Sequence, residues 1–415
     1  MFERFLQSFL AEALSDTPVV LLIGARQVGK STLTQNLKTE GYQPNYLTFD
    51  DSTLLVAAKG NPNGFLASVK TPVIFDEVQR VPELFLPIKL AVDKAREAGS
   101  FLLTGSANVL LMPNIADSLA GRIEILNLRP LSQGEIEGEK EDFIDWACGD
   151  EFELPSTKYA ESRESLFERM LTGGYPEVVQ RKTASRRSAW FNSYIATLLQ
   201  RDVRDLANIE GLIDFPKLLS ILAARAGGLL NYAEVSRTSA LPQTTLKRYV
   251  ALLENLFLIE YLPAYSGSLT KRLMKTPKLF FTDTGLLSYL QNLTWDKIKF
   301  EPTLAGMLTE NFVVSELKKQ TAWNKTRVNM LHFRTSTDQE VDIVLEMPSG
   351  EVVGIEIKSG ANVGRDAFKG LRVLESDLGK KFKRGIVLYT GELCAAFDKN
   401  MFAVPINRIW QKGTI

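Results

Sequence analysis

A single histidine, His332, serves the whole 415-residue chain. That scarcity excludes metal centres built on several histidines, and any Ser-His-Asp triad would have to use this one ring. Cysteine is almost as rare: Cys148 and Cys394 lie far apart and form no metal or redox motif, so a reduced, cytoplasmic setting is expected. No apolar run approaches the length needed to cross a bilayer, which speaks against a membrane partner. The N-terminal MFERFLQSFLAEAL is interrupted by charge and reads as an amphipathic helix, not a signal peptide. Nor does one sign of charge dominate. Lys and Arg number 49, as do Asp and Glu, so global charge argues neither for nor against nucleic acid. With 45% apolar residues the chain suits ordinary globular cores, roughly two to four of them at this length.

Against that plain background, residues 18–32, PVVLLIGARQVGKST, carry a specific pattern. Val19 to Ile23 read as a short buried strand, followed by a loop that fits G-x-x-x-x-G-K-[ST] at every specified position. The loop runs Gly24, Ala25, Arg26, Gln27, Val28, Gly29, Lys30, Ser31, and Thr32 follows in the next helix. Gly24 and Gly29 permit backbone conformations that a Cβ would obstruct, so successive N–H groups can point at phosphate. Lys30 would reach the β- and γ-phosphates, the Ser31 hydroxyl would take a Mg²⁺ position, and the helix start puts its positive dipole end on the same anion. The expected ligand is a nucleoside triphosphate, with ATP and Mg²⁺ as cofactors.

Four further strands are expected at 46–49, 72–79, 101–108 and 123–128, separated by helical segments such as 84–99. This βαβ alternation predicts a parallel sheet with loops gathered at the strand C-termini. PVIFDEVQ ends in adjacent acids at such a position. Asp76 would hold Mg²⁺ through water, and Glu77 would orient or deprotonate the attacking water. An extra strand between the two motifs matches the branch of these ATPases that uses a glutamate base. Asn108 or Ser106, after the next strand, would face the γ-phosphate or its water, unless the segment is an ordinary polar turn. Arg122 is either a γ-phosphate sensor or finger for a neighbouring subunit, which would make the protein a homo-oligomer, or a surface salt-bridge partner.

Residues 134–153 hold nine acids against Lys140 and read as a solvated loop or exposed helix face. Beyond them, basic helices over 181–190 and 201–206 would form either a lid on the nucleotide or a DNA-facing surface. The 217–283 stretch has a different logic. Two helices joined by a short turn, the second from Gln243 to about Leu256 with Thr244 or Thr245 as cap, make a helix-turn-helix pattern. Two strands flank a basic wing, and eight basic residues oppose three acids over 225–278. Lys271, Arg272 and Lys275 would contact phosphates, while Gln243, Lys247 and Arg248 would face a groove. DNA is the expected partner, and a protein-contact module is the alternative.

The last segment begins with a helix at 304–320, then a hairpin (VDIVLE, MPSG, EVVGIEIKSG), a helix at 365–377 and the strand 385–391. Asp342, Glu356 and Lys358 form D-x₁₃-E-x-K, and period-2 alternation puts Glu356 and Lys358 on one face. Two carboxylates across adjacent strands, with Glu310 from the helix as a third, could share a Mg²⁺ while the lysine activates its water. The hairpin supplies no evident basic partner for Asp342 and Glu356, so they should repel unless a cation sits between them. The other reading is a hairpin whose exposed face merely alternates charges.

Taken together, GARQVGKST, VIFDEVQ, LLTGSAN, LAGR, LRPLS, GGYPEVV, LFFTDTGLL, TEN, EVDIVL and EIKSG resemble prokaryotic ATPases of the AAA+ superfamily that carry a C-terminal domain of unknown function. The resemblance implies an α/β chain: a P-loop AAA+ sheet domain (1–133), a helical lid-like region (134–215), a winged helix (216–300) and a restriction-endonuclease-like domain (301–415). It places Asp342, Glu356 and Lys358 on the positions of PD-(D/E)xK nucleases, with Glu310 as the helical acid. The helix after EIKSG lacks the glutamine often found in active resolvase-like nucleases. Two functions follow: an ATPase that engages DNA and carries a metal-dependent nuclease-like domain, or a nucleotide-controlled switch whose last domain is catalytically dead.

Overall fold

A computed structural model of the chain describes residues 2–37, 41–106, 119–198, 215–267, 272 and 275–413. The chain forms two compact units, residues 1–131 with 253–258, and residues 132–252 with 259–415.

The first unit is built on strands β1 (Val19–Ile23), β2 (Asn45–Thr48), β3 (Val73–Asp76), β4 (Phe101–Gly105) and β5 (Ile123–Asn127). They pair in the order β2-β3-β4-β1-β5, every pair parallel. β1, β3 and β4 are buried along their whole length, which is why they read as unbroken apolar runs with no alternation. Among the described residues five helices accompany the sheet: α1 (Leu6–Asp16), α2 (Lys30–Gln35), α3 (Ser52–Gly60), α4 (Pro62–Ser68) and α5 (Phe85–Lys94). α1 buries Leu6, Leu10, Ala13 and Leu14, the 3–4 spacing of an amphipathic helix. One side of the sheet packs around Phe49, Phe75 and Phe101, whose rings stack at 5.6 and 6.5 Å, with Ile88 and Val92 of α5 in the same core. Because β4 lies between β1 and β3, the C-terminal ends of these three strands stand side by side.

The second unit opens with α6 (Gln133–Glu137) and α7 (Phe143–Cys148), within the acidic stretch expected to be solvated. Glu137, Glu139, Asp150, Glu151 and Glu153 are exposed, and the structure corrects that expectation only in part. Glu135 closes a capping box with Ser132, and Glu141 is half-buried, accepting from the Gly134 N–H at 2.7 Å. Burial and the nearby Glu316 push the Glu141 carboxyl well above its ordinary range. Then come α8 (Arg163–Thr172), α9 (Pro176–Val179), α10 (Ala184–Leu198), α11 (Phe215–Ala223), α12 (Tyr232–Ser239) and α13 (Gln243–Asn255). α13 begins at Gln243, so Thr244 and Thr245 lie inside its first turn and neither is the cap. The basic segment 201–206 is outside the described residues. β6 (Ile259–Leu262) and β7 (Lys278–Phe281) form an antiparallel pair, and Leu229 bridges to Lys278 on the other side of β7.

α14 (Thr284–Leu290), α15 (Trp295–Ile298) and the long α16 (Pro302–Gln320) lead into a six-stranded mixed sheet. Its strands are β8 (Asn329–Arg334), β9 (Glu340–Glu346), β10 (Val352–Lys358), β11 (Phe382–Tyr389), β12 (Ala395–Asp398) and β13 (Met401–Pro405), with α17 (Lys369–Leu378) between β10 and β11. The order is β12-β13-β11-β10-β9-β8, parallel at β10–β11 and β11–β13 and antiparallel elsewhere.

The short motifs GGYPEVV, LFFTDTGLL and TEN lock together here. Asp283 is fully buried and accepts from the N–H groups of Gly174 (2.6 Å) and Leu286 (2.8 Å). A Cβ on Gly173 would stand 2.5 Å from the Asp283 carboxylate, at a φ of +73° that also disfavours a side chain. Asn311 on α16 then pins both the N–H (2.9 Å) and the carbonyl (2.8 Å) of Phe281. Among the described residues no helix is long and apolar enough to cross a membrane.

Candidate functional site

β1 delivers the chain into the loop 24–31 at the sheet's C-terminal edge. Gly24 has φ +152°, and a Cβ there would meet the Leu128 carbonyl oxygen at 2.1 Å; only glycine lets the loop pass this close to the chain leaving β5. Gln27 (φ +62°) and Gly29 (φ +100°) are also left-handed, which turns the loop back on itself before α2 begins at Lys30. Ala25 and Val28 are buried beneath the loop, Arg26 is half-buried, and Gln27 and Thr32 are exposed. Lys30 lies inside the curve, donating to the carbonyls of Gly24 and Ala25 at 2.9 Å each. From outside, the buried Arg4 guanidinium donates to the carbonyls of Val28 (2.7 Å) and Arg129 (2.6 Å). Nothing in the sequence around Arg4 signals this brace.

Asp76, at the end of β3, collects hydroxyl donors. Ser31 Oγ stands 2.9 and 3.1 Å from its two oxygens, Tyr46 Oη 2.8 Å and Thr104 Oγ1 2.6 Å. Burial and the Asp76 charge raise the Tyr46 phenol to about 12, so it stays a donor. Thr104 also accepts from the Glu77 N–H at 3.0 Å, so one hydroxyl of β4 holds both acids of the β3 end. Sequence reading missed Tyr46, and noted Thr104 only as one of the polar residues ending its strand, without this role. Glu77 follows in a left-handed conformation, φ +61°, which swings its side chain out of the strand direction. There Ser106 Oγ donates to Glu77 Oε2 at 3.1 Å, and the Gln79 amide donates to the same oxygen.

Asn108 lies outside the described residues. Arg122 does not approach this group; its guanidinium pairs with Asp93 of α5 at 2.5 Å and donates to the Ala120 carbonyl at 3.0 Å, the surface salt-bridge arrangement.

Residues 16–137 match the family profile described as an AAA domain. Residues 305–409 match a domain of unknown function (DUF4143), and residues 163–297 another (DUF8612). The chain therefore carries an AAA ATPase domain and a C-terminal domain of unknown function. Uncharacterized proteins of Mycobacterium tuberculosis and Mycobacterium bovis are each 29% identical to it over 411 residues, 98% of this chain and 84% of theirs. Among solved structures, the Walker-type ATPase of Pyrococcus abyssi is similar at 17% identity and a TM-score of 0.44, covering 70% of this chain and 96% of its own. The Thermotoga maritima RuvB Holliday junction branch migration motor aligns at 18% identity and a TM-score of 0.30, over 65% and 93%.

In the AAA domain the donor set suits a hard divalent ion: a serine hydroxyl and a carboxylate converge under the phosphate loop. The C-terminal domain presents a different picture. Period-2 alternation along β10 does put Glu356 and Lys358 on one face, and Lys358 Nζ bonds Glu356 Oε1 at 2.7 Å. Asp342, across the hairpin on β9, accepts from the Ile357 N–H at 2.9 Å, and Glu310 reaches in from α16. The cation among them is Lys278 of β7. Its Nζ is 2.9 Å from Glu310, 3.5 Å from Asp342 and 3.6 Å from Glu340, with the side chain 5% exposed. The expectation that the hairpin supplies no basic partner holds for Asp342, whose partner comes from a strand 64 residues earlier, and is corrected for Glu356, which pairs with Lys358 of the hairpin itself. Among the described residues no three His, Cys, Asp or Glu side chains form a group that could hold a metal ion. With an ammonium at their centre these carboxylates do not fit a divalent ion, and burial still raises Glu310 and Glu356 above the ordinary carboxylate range.

The basic residues of 225–278 separate by role. Arg272 is committed to Glu346 through two bonds of 2.5 and 2.6 Å and lies over the Tyr265 ring, so it is not available to phosphate. Lys275 is exposed, as are Gln243, Thr244, Lys247 and Arg248 along one face of α13. Lys271 lies outside the described residues.

Proposed function

We propose that this protein is a Mg²⁺-dependent ATPase that engages DNA through residues 216–300, and that its C-terminal domain binds without cutting. The observation that carries the ATPase reading is the Ser31–Asp76–Glu77 arrangement: a hydroxyl and a carboxylate joined at 2.9 Å with a second carboxylate next in line. Bound Mg²⁺ would be held by Ser31 and Asp76 and would neutralise phosphate charge. Lys30 and the loop N–H groups bind the β- and γ-phosphates, and Glu77 orients the attacking water.

Support for DNA comes from α11, α12, α13, β6 and β7, with 227–230 lying along β7, an arrangement we read as a winged helix. Gln243, Thr244, Lys247 and Arg248 share one exposed face of α13, and Lys275 stands in the wing. Replacing Lys247, Arg248 and Lys275 by Ala should weaken binding alike on unrelated duplexes and lower the log–log salt slope by about 0.9 per lost phosphate contact. Unchanged affinity and slope would assign this region to protein contact instead.

For the last domain, the Lys278 ammonium among Glu310, Asp342 and Glu340 favours the binding fold over the nuclease, although the α-β-β-β-α-β order and the Asp342, Glu356 and Lys358 pattern are nuclease-like. Purified protein with Mg²⁺ or Mn²⁺, with and without ATP, should leave single-stranded, duplex and branched DNA intact. Cleavage that disappears in Asp342→Ala would overturn this part.

A further inference from the structure

Gln79 stands two residues beyond Glu77, in the 3₁₀ turn Val78–Arg80. The left-handed backbone of Glu77 (φ +61°) bends the chain sharply as it leaves β3, and this bend carries the Gln79 side chain back beside the carboxylate it follows. Its amide nitrogen donates to Glu77 Oε2 and, at 2.8 Å, to Ser106 Oγ; the Ser106 hydroxyl in turn donates to that same Oε2 at 3.1 Å. The three side chains close a ring of hydrogen bonds. Glu77 Oε2 takes both donors, and Oε1 takes none among the described residues. Ser106 is 4% exposed, so the far side of the ring is anchored in the body of the sheet.

We propose that Gln79 is a positioning residue for ATP hydrolysis, fixing the Glu77 carboxylate so that Oε1 alone faces the attacking water. This rests on the reading of Glu77 as the water-orienting residue. A carboxylate with two donors on one oxygen cannot exchange its oxygens by rotating about its last bond without breaking both. Oε1 therefore keeps one lone-pair direction on offer to the water. Without the amide, Ser106 alone leaves the group free to swing, and the water loses its fixed acceptor. Gln79 does not itself touch the reacting atoms; it acts through Glu77.

The test is a double-mutant cycle in the full-length protein, read by single-turnover ATP hydrolysis, nucleotide affinity and melting temperature. Gln79→Met keeps the side chain's length and removes its donors. It should lower the hydrolysis rate by about 10- to 100-fold, the range for a misplaced catalytic group, with nucleotide affinity and melting temperature unchanged. In the Glu77→Gln background the same substitution should add no further loss, because there is no carboxylate left to position. A Gln79→Met rate equal to the original, with Glu77→Gln inactive, would overturn this inference and leave the Glu77 reading standing. An equal fractional loss in both backgrounds would also overturn it, marking Gln79 as a structural residue only. If Glu77→Gln hydrolysed ATP at the original rate, the reading of Glu77 would fall, and the role of Gln79 with it.

Discussion

Lys278→Met places an apolar side chain of similar length where the ammonium now stands, and its cost can be worked from the contacts. At an effective dielectric of about 20, a unit charge pair at 2.9 Å attracts by about 6 kcal/mol and one at 3.5 Å by about 5 kcal/mol. The lysine gives up much of that gain to its own desolvation, since its side chain is 5% exposed. Losing it leaves Glu310, Asp342 and Glu340 facing one another, and Glu310 then takes up a proton, which trims the penalty. We expect a net destabilisation of about 3 kcal/mol, at the lower edge for breaking a buried pair. All five tryptophans, Trp146, Trp190, Trp295, Trp323 and Trp410, belong to the second unit, so urea unfolding followed by tryptophan fluorescence reads this unit alone. Lys278→Met/Glu310→Gln, which removes both charges, should lose less than the sum of the single variants by at least about 1.5 kcal/mol. A loss under about 1 kcal/mol for Lys278→Met, or strict additivity in the double variant, would refute the lysine as the resident cation of this cluster.

Three further outcomes follow from single contacts. His332 is buried with Nε2 3.3 Å from the Thr276 carbonyl oxygen, and burial with Lys278 nearby holds its pKa down at about 4 instead of 6.5. At this ring the folded state stays unprotonated while the unfolded chain binds a proton, so its contribution to stability is lost as pH drops from 6.5 towards 4, by up to about 3 kcal/mol; the stability difference between the original protein and His332→Gln should change by this amount in denaturation at stepped pH, and a difference that does not vary with pH would contradict it. Asp283→Ala strands the Gly174 and Leu286 N–H groups in the interior, and should cost about 2–3 kcal/mol in the same fluorescence assay; a change within about 0.5 kcal/mol would be the wrong answer. Gly24→Ala drives a Cβ to 2.1 Å from the Leu128 carbonyl oxygen, so equilibrium titration with a fluorescent ATP analogue should show binding lost; retained affinity would mean the loop moves freely off β5.

How far the sequence spoke depended on whether a contact was local. The phosphate loop, the strands around it and the acids ending β3 were legible because unbroken apolar runs, glycines and adjacent carboxylates occupy single short windows. Asp342, Glu356 and Lys358 were legible too, since alternation along β10 decides which side chains share a face. Their counter-ion was not: Lys278 reaches Asp342 only through the placement of β7 against α16, which Asn311 fixes by gripping Phe281. Composition misled at two acids of 134–153: the buried Glu135 accepts from the N–H of Ser132, the cap of α6, and the half-buried Glu141 accepts from the Gly134 N–H. Arg272 looked like a wing residue, and its place at Glu346 rests on a bidentate pair 74 residues away in the chain. Tyr46 and Gln79 matter only once the parallel sheet sets β2 and β3 edge to edge and the chain bends at Glu77, and no local pattern encodes either event.

The most direct test of the ATPase account is phosphate release by the purified protein with Mg²⁺ and ATP, compared with Glu77→Gln and Lys30→Ala, alongside direct measurement of nucleotide affinity. The original protein should hydrolyse ATP. Glu77→Gln should bind nucleotide nearly as well but turn over about 10²–10⁴-fold more slowly, whereas Lys30→Ala should lose binding itself. Hydrolysis by Glu77→Gln at the original rate would contradict the account at its centre.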